Sequence, residues 1–170
     1  MNRLYPEPLP RIHPLPEFLA TDRCKQWHEE MKEAMQVPWM GVVTMACVHY
    51  PEFFATLWES AQPLVRSRPF VEASAALRQL TETETAKLRP PPIAMRLENL
   101  GYAEREIAQI RGMIEIFSHG NFPYLLPATI VRLLLEGEEM GDGTEAPLFE
   151  GRHAPDVQVP LVLLEIHHAD

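Results

Sequence analysis

Prolines stand at the starts of apolar segments along this chain, and their placement restricts the folds open to it. Proline fixes φ near −65° and lacks a backbone N–H, so it fits the first turn of a helix but interrupts a helix interior or a central strand. The chain has 17 prolines against 8 glycines. Pro38, Pro51 and Pro69 each precede a segment with apolar residues at helical spacing, and each is predicted to open a helix.

The spacing of apolar residues between these prolines supports an all-α fold. Residues 21–36, 69–83 and 103–119 carry apolar side chains three and four positions apart. No stretch keeps the apolar–polar alternation that indicates a half-buried strand. We therefore predict an all-α protein, a compact bundle of about six to seven helices.

Two boundaries inside the predicted helical region rest on single residues. Gly120 is predicted to end a helix over 103–119, and Asn121 is predicted to cap the next helix, over 122–135. Pro38 is predicted to open a helix over 39–49. Because that segment is apolar on every face, we expect it to be buried all round.

The chain is long enough for one core, and its composition divides it into three parts. A chain of 170 residues with 46% hydrophobic residues supports a single domain. Residues 1–18 contain five prolines and are predicted to form an extended arm. Residues 19–136 form the helical core, and residues 137–170 form a loop and a C-terminal tail. The run 160–166 in that tail fits either a strand or one helical turn.

The charge balance excludes some classes of partner. The 15 basic and 24 acidic residues give a formal net charge of -9, which repels nucleic acid and anionic membranes. Cys24 and Cys47 are too far apart for a zinc or redox motif, and two free thiols suit a reducing compartment. The N-terminus lacks the apolar run of a secretory signal. We expect a cytoplasmic protein without a cofactor or a metal ion.

A few polar and aromatic residues could carry chemistry. Glu115 and His119 are four apart on one predicted helix face, where the carboxylate could orient the imidazole as a general base or where both could be solvated. Asn121 could be only a helix cap, or its amide could hold a water or a carboxylate. Trp39 could be a core residue or could line a small-molecule pocket.

Several segments together have an order and spacing typical of one protein family. They are Val37-Pro38-Trp39, Tyr50-Pro51-Glu52-Phe53-Phe54 with Leu57-Trp58, Ala75-Ala76-Leu77-Arg78, and Leu97 to Tyr102 with the Glu106-Ile107 helix after it. The most specific is Phe117-Ser118-His119-Gly120-Asn121-Phe122-Pro123-Tyr124-Leu125-Leu126. These segments resemble the group I 2-haloacid dehalogenase family, whose corresponding stretch reads Asn-Tyr-Gly-Asn-Pro-Lys-Tyr-Leu-Leu. The resemblance covers residues 18–136.

The resemblance implies an all-helical fold and hydrolysis of short 2-haloalkanoic acids of either configuration by direct water attack, with no covalent ester and no metal. Family members carry two related repeats, and an asparagine from the first and an aspartate from the second activate the water. This chain resembles one repeat. The family's asparagine corresponds to Asn121 and a pocket tryptophan to Trp39. Val42, Val43 and Thr44 fall in the segment that lines the substrate site.

The sequence departs from the family at the proton acceptor. The aspartate would fall at Val43, and residues 40–50 contain no acid. General-base catalysis contributes about 10²–10⁴-fold, and Asn121 can position a water but cannot deprotonate it. His119 paired with Glu115 is the best candidate for a replacement base. The alternative is a non-catalytic homodimer of the same fold that binds a small acid or a protein partner.

A single repeat also predicts a partner. The apolar face that would meet a second repeat could be covered by a second copy of the chain, in a two-fold homodimer that imitates the two-repeat arrangement. The predicted partners are therefore a second copy and a small carboxylic acid ligand.

Overall fold

A computed structural model describes residues 13–138 and 146–157 of the chain. This part contains a 3-10 helix, Glu17–Leu19, and six α-helices. They are α1 (Asp22–Met35), α2 (Val42–Val48), α3 (Pro51–Val65), α4 (Arg68–Ala86), α5 (Ile93–Asn99) and α6 (Glu104–Leu135). Within these residues the β structure amounts to one isolated bridge, between Ser67 and Leu148. The predicted all-α fold is confirmed.

Local sequence signals account for several helix ends. Pro51 lies at the start of α3, and Pro69 lies in the first turn of α4. The Ser67 hydroxyl caps α4 by accepting a hydrogen bond from the Phe70 N–H at 3.3 Å. Gly101, with φ of +94°, follows α5 in the left-handed conformation that glycine favours. The predictions for Pro51 and Pro69 are confirmed.

The prediction that Pro38 opens a helix is wrong, because α2 begins only at Val42. The backbone before it is bound by tertiary contacts instead of helical ones. The Met40 N–H donates to the Glu17 carboxylate at 2.8 Å, and the Trp39 carbonyl accepts a hydrogen bond from the Tyr124 hydroxyl. The helix is also not buried all round, since Val42 and Val43 are exposed. We call residues 37–41 the tryptophan loop.

The predicted break at Gly120 and Asn121 is also wrong. α6 is one helix of 32 residues that runs through Gly120, Asn121, Pro123 and Pro127. A proline inside a helix costs about 3 kcal/mol and removes a hydrogen bond. Tertiary contacts offset this cost, because Gly120 and Pro123 are both buried against the rest of the bundle.

The hydrophobic core lies among the first four helices. The Trp27 and Phe54 rings are 5.2 Å apart, centroid to centroid, and join α1 to α3. The Trp58 indole N–H reaches the Glu30 carboxylate at 3.0 Å, so its polar edge is satisfied. α6 packs mainly along α4, and α5 packs on α6.

Residues 146–157 form an irregular segment, which we call the strap. Its backbone bonds to the turn between α3 and α4, through the Phe149 N–H to the Arg66 carbonyl and the Arg68 N–H to the Pro147 carbonyl. Gln36 fixes its other end. The Gln36 amide donates to the Gly151 carbonyl at 2.9 Å and accepts from the His153 N–H at 2.9 Å.

Other predictions concern regions that the structure does not describe. Residues 1–12 of the predicted arm and the run 160–166 lie outside the described residues. The rest of the predicted arm has no regular structure over residues 13–16 and then enters the 3-10 helix Glu17–Leu19. Within the described residues, none of the helices combines the length and the apolar character needed to cross a membrane.

Candidate functional site

Two contacts between an aromatic ring and a glycine hold the tryptophan loop against α6. A Cβ atom at Gly120 would lie within 2.5 Å of Cζ2 of Trp39, and a Cβ atom at Gly41 would lie 2.9 Å from the Tyr124 ring. Real side chains do not tolerate such distances, so glycine is required at both positions for this approach. The Trp39 ring also packs on Phe117, with centroids 4.6 Å apart.

The Tyr124 hydroxyl adds a polar contact to the same junction. It donates a hydrogen bond to the Trp39 carbonyl, which no helix satisfies. Burial raises the pKa of Tyr124, and a backbone hydrogen bond at Gly41 only partly opposes that effect. The phenol is therefore neutral at physiological pH and acts as a fixed donor, not as a base.

A cleft of about 570 Å³ opens beside this junction. We call it the Trp39–Asn121 cleft. Aromatic and aliphatic side chains from the tryptophan loop, the start of α2 and the middle of α6 line it. They are Trp39, Met40, Gly41, Val42, Val43, Thr44, Phe117, Asn121, Tyr124, Leu125 and Ala128. The structure thus brings together five of the residues predicted for the site: Trp39, Val42, Val43, Thr44 and Asn121.

The chemistry available in the Trp39–Asn121 cleft is that of a binding pocket with few polar groups. Its polar side-chain groups are the Asn121 amide, the Thr44 hydroxyl, the Trp39 indole N–H and the Tyr124 phenol, which is bonded to the Trp39 carbonyl. Among the described residues that line it, there is no carboxylate, imidazole or cationic side chain. Such a pocket suits a small, largely apolar molecule oriented by one or two hydrogen bonds.

The structure does not bring His119 and Glu115 to this cleft. His119 and Asn121 are two residues apart on α6, which places them about 200° apart around the helix. His119 therefore lines a different cavity, against α1, α4 and the strap. Glu115 accepts a hydrogen bond from the Arg78 guanidinium at 2.7 Å, so its closest partner is a cation on α4.

The electrostatics of His119 follow from that position. Burial lowers the pKa of His119, the positive charge of Arg78 adds to that effect, and the Met35 carbonyl and Glu115 oppose it. The catalytic roles predicted for His119 and Glu115 stay predictions.

Sequence reasoning missed several residues of the cleft, including Gly41, Phe117 and Tyr124. Phe117 precedes Asn121 by four positions and Tyr124 follows it by three, so in the continuous helix α6 all three lie on one face. The false helix break at Gly120 had separated Phe117 from Asn121. Among the described residues, no cluster of three or more His, Cys, Asp or Glu side chains could hold a metal ion.

Comparison with known proteins relates the chain to haloacid dehalogenases. No protein-family model matches the chain. It is 44% identical over 167 residues to an (R)-2-haloacid dehalogenase of Rhizobium sp. (strain NHG3), an alignment that covers 97% of this chain and 64% of that protein. This is a dehalogenase-like chain.

Other relatives agree with this identification. The dehalogenase-like chain is 33% identical over 162 residues to an (R)-2-haloacid dehalogenase of Pseudomonas putida, covering 93% of this chain and 54% of that protein. Its fold matches the crystal structure of a D-2-haloacid dehalogenase mutant with a TM-score of 0.75 and 32% identity, over 94% of this chain and 56% of that one. The chain thus spans between half and two thirds of the length of these relatives.

Proposed function

We propose that this chain hydrolyses small 2-halo carboxylic acids by direct attack of water, with the substrate bound in the Trp39–Asn121 cleft. The single observation that carries the proposal is the convergence of Trp39 and Asn121 on one apolar cleft in a chain that is homologous to (R)-2-haloacid dehalogenases. The names of the relatives favour the (R) configuration for the substrate. We further propose that the chain corresponds to one repeat of a group I enzyme.

The cleft residues suit the two ends of such a substrate. The rings of Trp39 and Phe117 and the side chain of Val43 provide apolar surface for the carbon–halogen end. The Asn121 amide can donate to a carboxylate and accept from a water, so it can hold the attacking water beside the reacting carbon. The expected reaction forms a carbon–oxygen bond, releases the halide and passes the water proton to a base.

The base is the group that the cleft of one copy lacks. Because the described lining contains no carboxylate or imidazole, a proton acceptor has to approach from outside it. We propose that a second copy packs across the open side of the cleft. Val42, Val43 and Leu125 support this arrangement, since they line the cleft and are 64%, 61% and 50% exposed. Continuous apolar surface of this kind is typical of an interface.

Halide release is the direct test of the proposed reaction. The purified chain should release chloride from 2-chloropropionate, faster from the (R) than from the (S) enantiomer. Asn121→Ala should lower the rate about 100-fold, because removal of one hydrogen-bonding group that acts in the transition state costs that much. Asn99→Ala is the matched control, since Asn99 lies at the end of α5 and does not line the cleft. Equal rates for both variants would contradict the proposal.

A non-catalytic binding protein is the second candidate, and the absence of an ionisable group among the described cleft residues favours it. In that case 2-chloropropionate would bind without halide release, and Asn121→Ala would weaken binding only. Calorimetric titration of 2-chloropropionate into the protein measures binding, and the halide assay measures the reaction, so the two measurements together distinguish the two functions.

Sedimentation tests the proposed dimer. Val43→Glu puts a charge on the proposed contact surface and should convert the dimer to monomer. Leu88→Glu is the control, because Leu88 is 80% exposed and lies between α4 and α5, outside the cleft. A wild-type monomer at micromolar concentration, or equal behaviour of the two variants, would overturn the dimer.

A further inference from the structure

The strap covers two adjoining cavities on the face of the bundle that lies away from Asn121. The smaller, about 110 Å³, lies between α1, α4 and α6, and the larger, about 340 Å³, lies beside the α3–α4 turn. Both are lined by His153 of the strap, together with Ala34, Val65 and Val71. His153 therefore stands between them, and one molecule beside its ring could contact the walls of both.

Two residues that line the cavities each carry a buried nitrogen for which the described residues provide no hydrogen-bond partner. Arg66 lines the larger cavity and His119 lines the smaller one, and the Nε atom of Arg66 and the Nε2 atom of His119 are both buried. Neither atom has a hydrogen-bond partner among the described residues. A guanidinium N–H can only donate, so the buried Nε of Arg66 requires an acceptor.

Around the two cavities, hydrogen-bond donors outnumber the acidic side chains that could accept from them. Arg78 lines the smaller cavity. Two of its five N–H groups donate hydrogen bonds to Glu82 and Glu115, at 2.9 and 2.7 Å. In the lining of the larger cavity the one acidic residue is Glu33, whose side chain lies at the surface. The walls are otherwise mainly aliphatic and aromatic, with Val65 and Phe70 facing the smaller cavity.

We propose that the cavities beneath the strap bind a short-chain carboxylate, with its oxygens accepting hydrogen bonds from Arg66 and the His119–His153 pair and its alkyl chain against Val65 and Val71. The apolar walls favour a carboxylate with a carbon chain over a bare halide, because a halide would leave them without contacts. This site is distinct from the Trp39–Asn121 cleft, since His119 and Asn121 lie on opposite faces of α6.

Binding at this site is coupled to proton uptake. The centroids of the His119 and His153 rings lie 5.4 Å apart. Burial lowers the pKa of both histidines. The positive charge of a protonated His119 lowers the pKa of His153 further. An anion between them favours the charged forms, so it should raise both pKa values. The charged or titratable groups facing the pair from the packed elements are Glu33 on α1, Arg66 on the α3–α4 turn, Arg78 with Glu82 on α4, and Glu115 on α6.

Histidine NMR of the intact chain tests the site with propionate as the probe. Propionate should shift the ring resonances of His119 and His153 and raise their pKa values, while the resonances of the exposed His49 stay unchanged. Since the bound form holds an extra proton, affinity should weaken up to about tenfold per pH unit on the alkaline side of the histidine pKa values. The absence of any shift at His119 and His153 would overturn the proposal.

Variants and a ligand series make the test specific. Arg66→Lys keeps the charge but removes the buried Nε donor, and His119→Gln removes the titrating ring, so each should weaken propionate binding about tenfold or more. His49→Gln is the matched control and should have no effect. Butyrate should bind more tightly than acetate. Chloride that binds as tightly as propionate, or variants that bind like the wild type, would overturn the carboxylate site.

Discussion

The indole ring of Trp39 lies directly against the backbone of Gly120, with no side chain between the tryptophan loop and α6. This contact, made at the residue before Asn121, sets the distance between the two residues that the family resemblance assigned to one site. The glycine is therefore a packing residue inside a continuous helix and not a helix terminator.

Gly120→Ala should destabilise the protein although alanine is the better helix former. The new methyl group would overlap the Trp39 ring, and overpacking of this kind costs about 1–3 kcal/mol. Urea unfolding of the variant measures the loss. Trp39→Phe shortens the ring, so the double variant should recover part of the stability. A Gly120→Ala variant as stable as the wild type would show that the contact is looser than described.

Tyr124→Phe should weaken the same junction by a different route. It removes the hydrogen bond to the Trp39 carbonyl and leaves that acceptor without a partner, at a cost of about 1 kcal/mol. Thermal unfolding detects the change. Tyr102→Phe serves as the control because Tyr102 is an exposed tyrosine before α6, and it should leave the transition unchanged.

Glu115→Gln separates a structural role of Glu115 from a catalytic one. The carboxylate pairs with the partly exposed Arg78, so its loss should cost about 1 kcal/mol or less. Halide release should be unchanged, because Glu115 does not line the Trp39–Asn121 cleft. If Glu115→Gln lowered the rate strongly and the surface variant Glu136→Gln did not, the result would support the prediction that His119 paired with Glu115 is the base.

Acid should destabilise the protein through its buried histidines. Burial lowers the pKa values of His28, His119 and His153 in the folded state. The unfolded chain then binds more protons, so stability falls as the pH drops below about 6.5, by at most about 1.4 kcal/mol per pH unit for each histidine.

Urea unfolding in a carboxylate-free buffer at about pH 7.5 and about pH 5.5 measures this dependence. His28→Leu removes the most buried ring and should reduce the slope, whereas His49→Gln should not. Stability that stays constant or rises on acidification would contradict the lowered pKa values of these histidines in the folded state.

Local signals in the sequence predicted much of the fold. Proline in the first turn of a helix acts through the backbone alone, so Pro51 and Pro69 could be interpreted correctly. The failures at Pro38 and Gly120 have one cause. Around both positions contacts between distant segments replace the local preference, including Met40 with Glu17 and Trp39 with Gly120. The spacing of residues along the sequence does not reveal such contacts.

The candidate site divides in the same way. Trp39 and Asn121 line one cleft, as the family resemblance implied. The catalytic role of His119 was predicted from its spacing from Glu115, and that spacing does not say which cavity the helix face of His119 lines. The continuity of α6 decides that face, and it also places Tyr124 beside Asn121. The surroundings of Arg66 include the strap, about 80 residues further along the chain, and sequence patterns do not connect the two segments.

The rate of halide release per chain, measured against chain concentration, tests the central claim most directly. If the Trp39–Asn121 cleft is completed by a second copy, the specific rate with (R)-2-chloropropionate should rise over the same concentrations at which sedimentation shows monomer converting to dimer, and Asn121→Ala should abolish that rise. A specific rate that is independent of concentration, or one that Asn121→Ala leaves intact, would contradict the account.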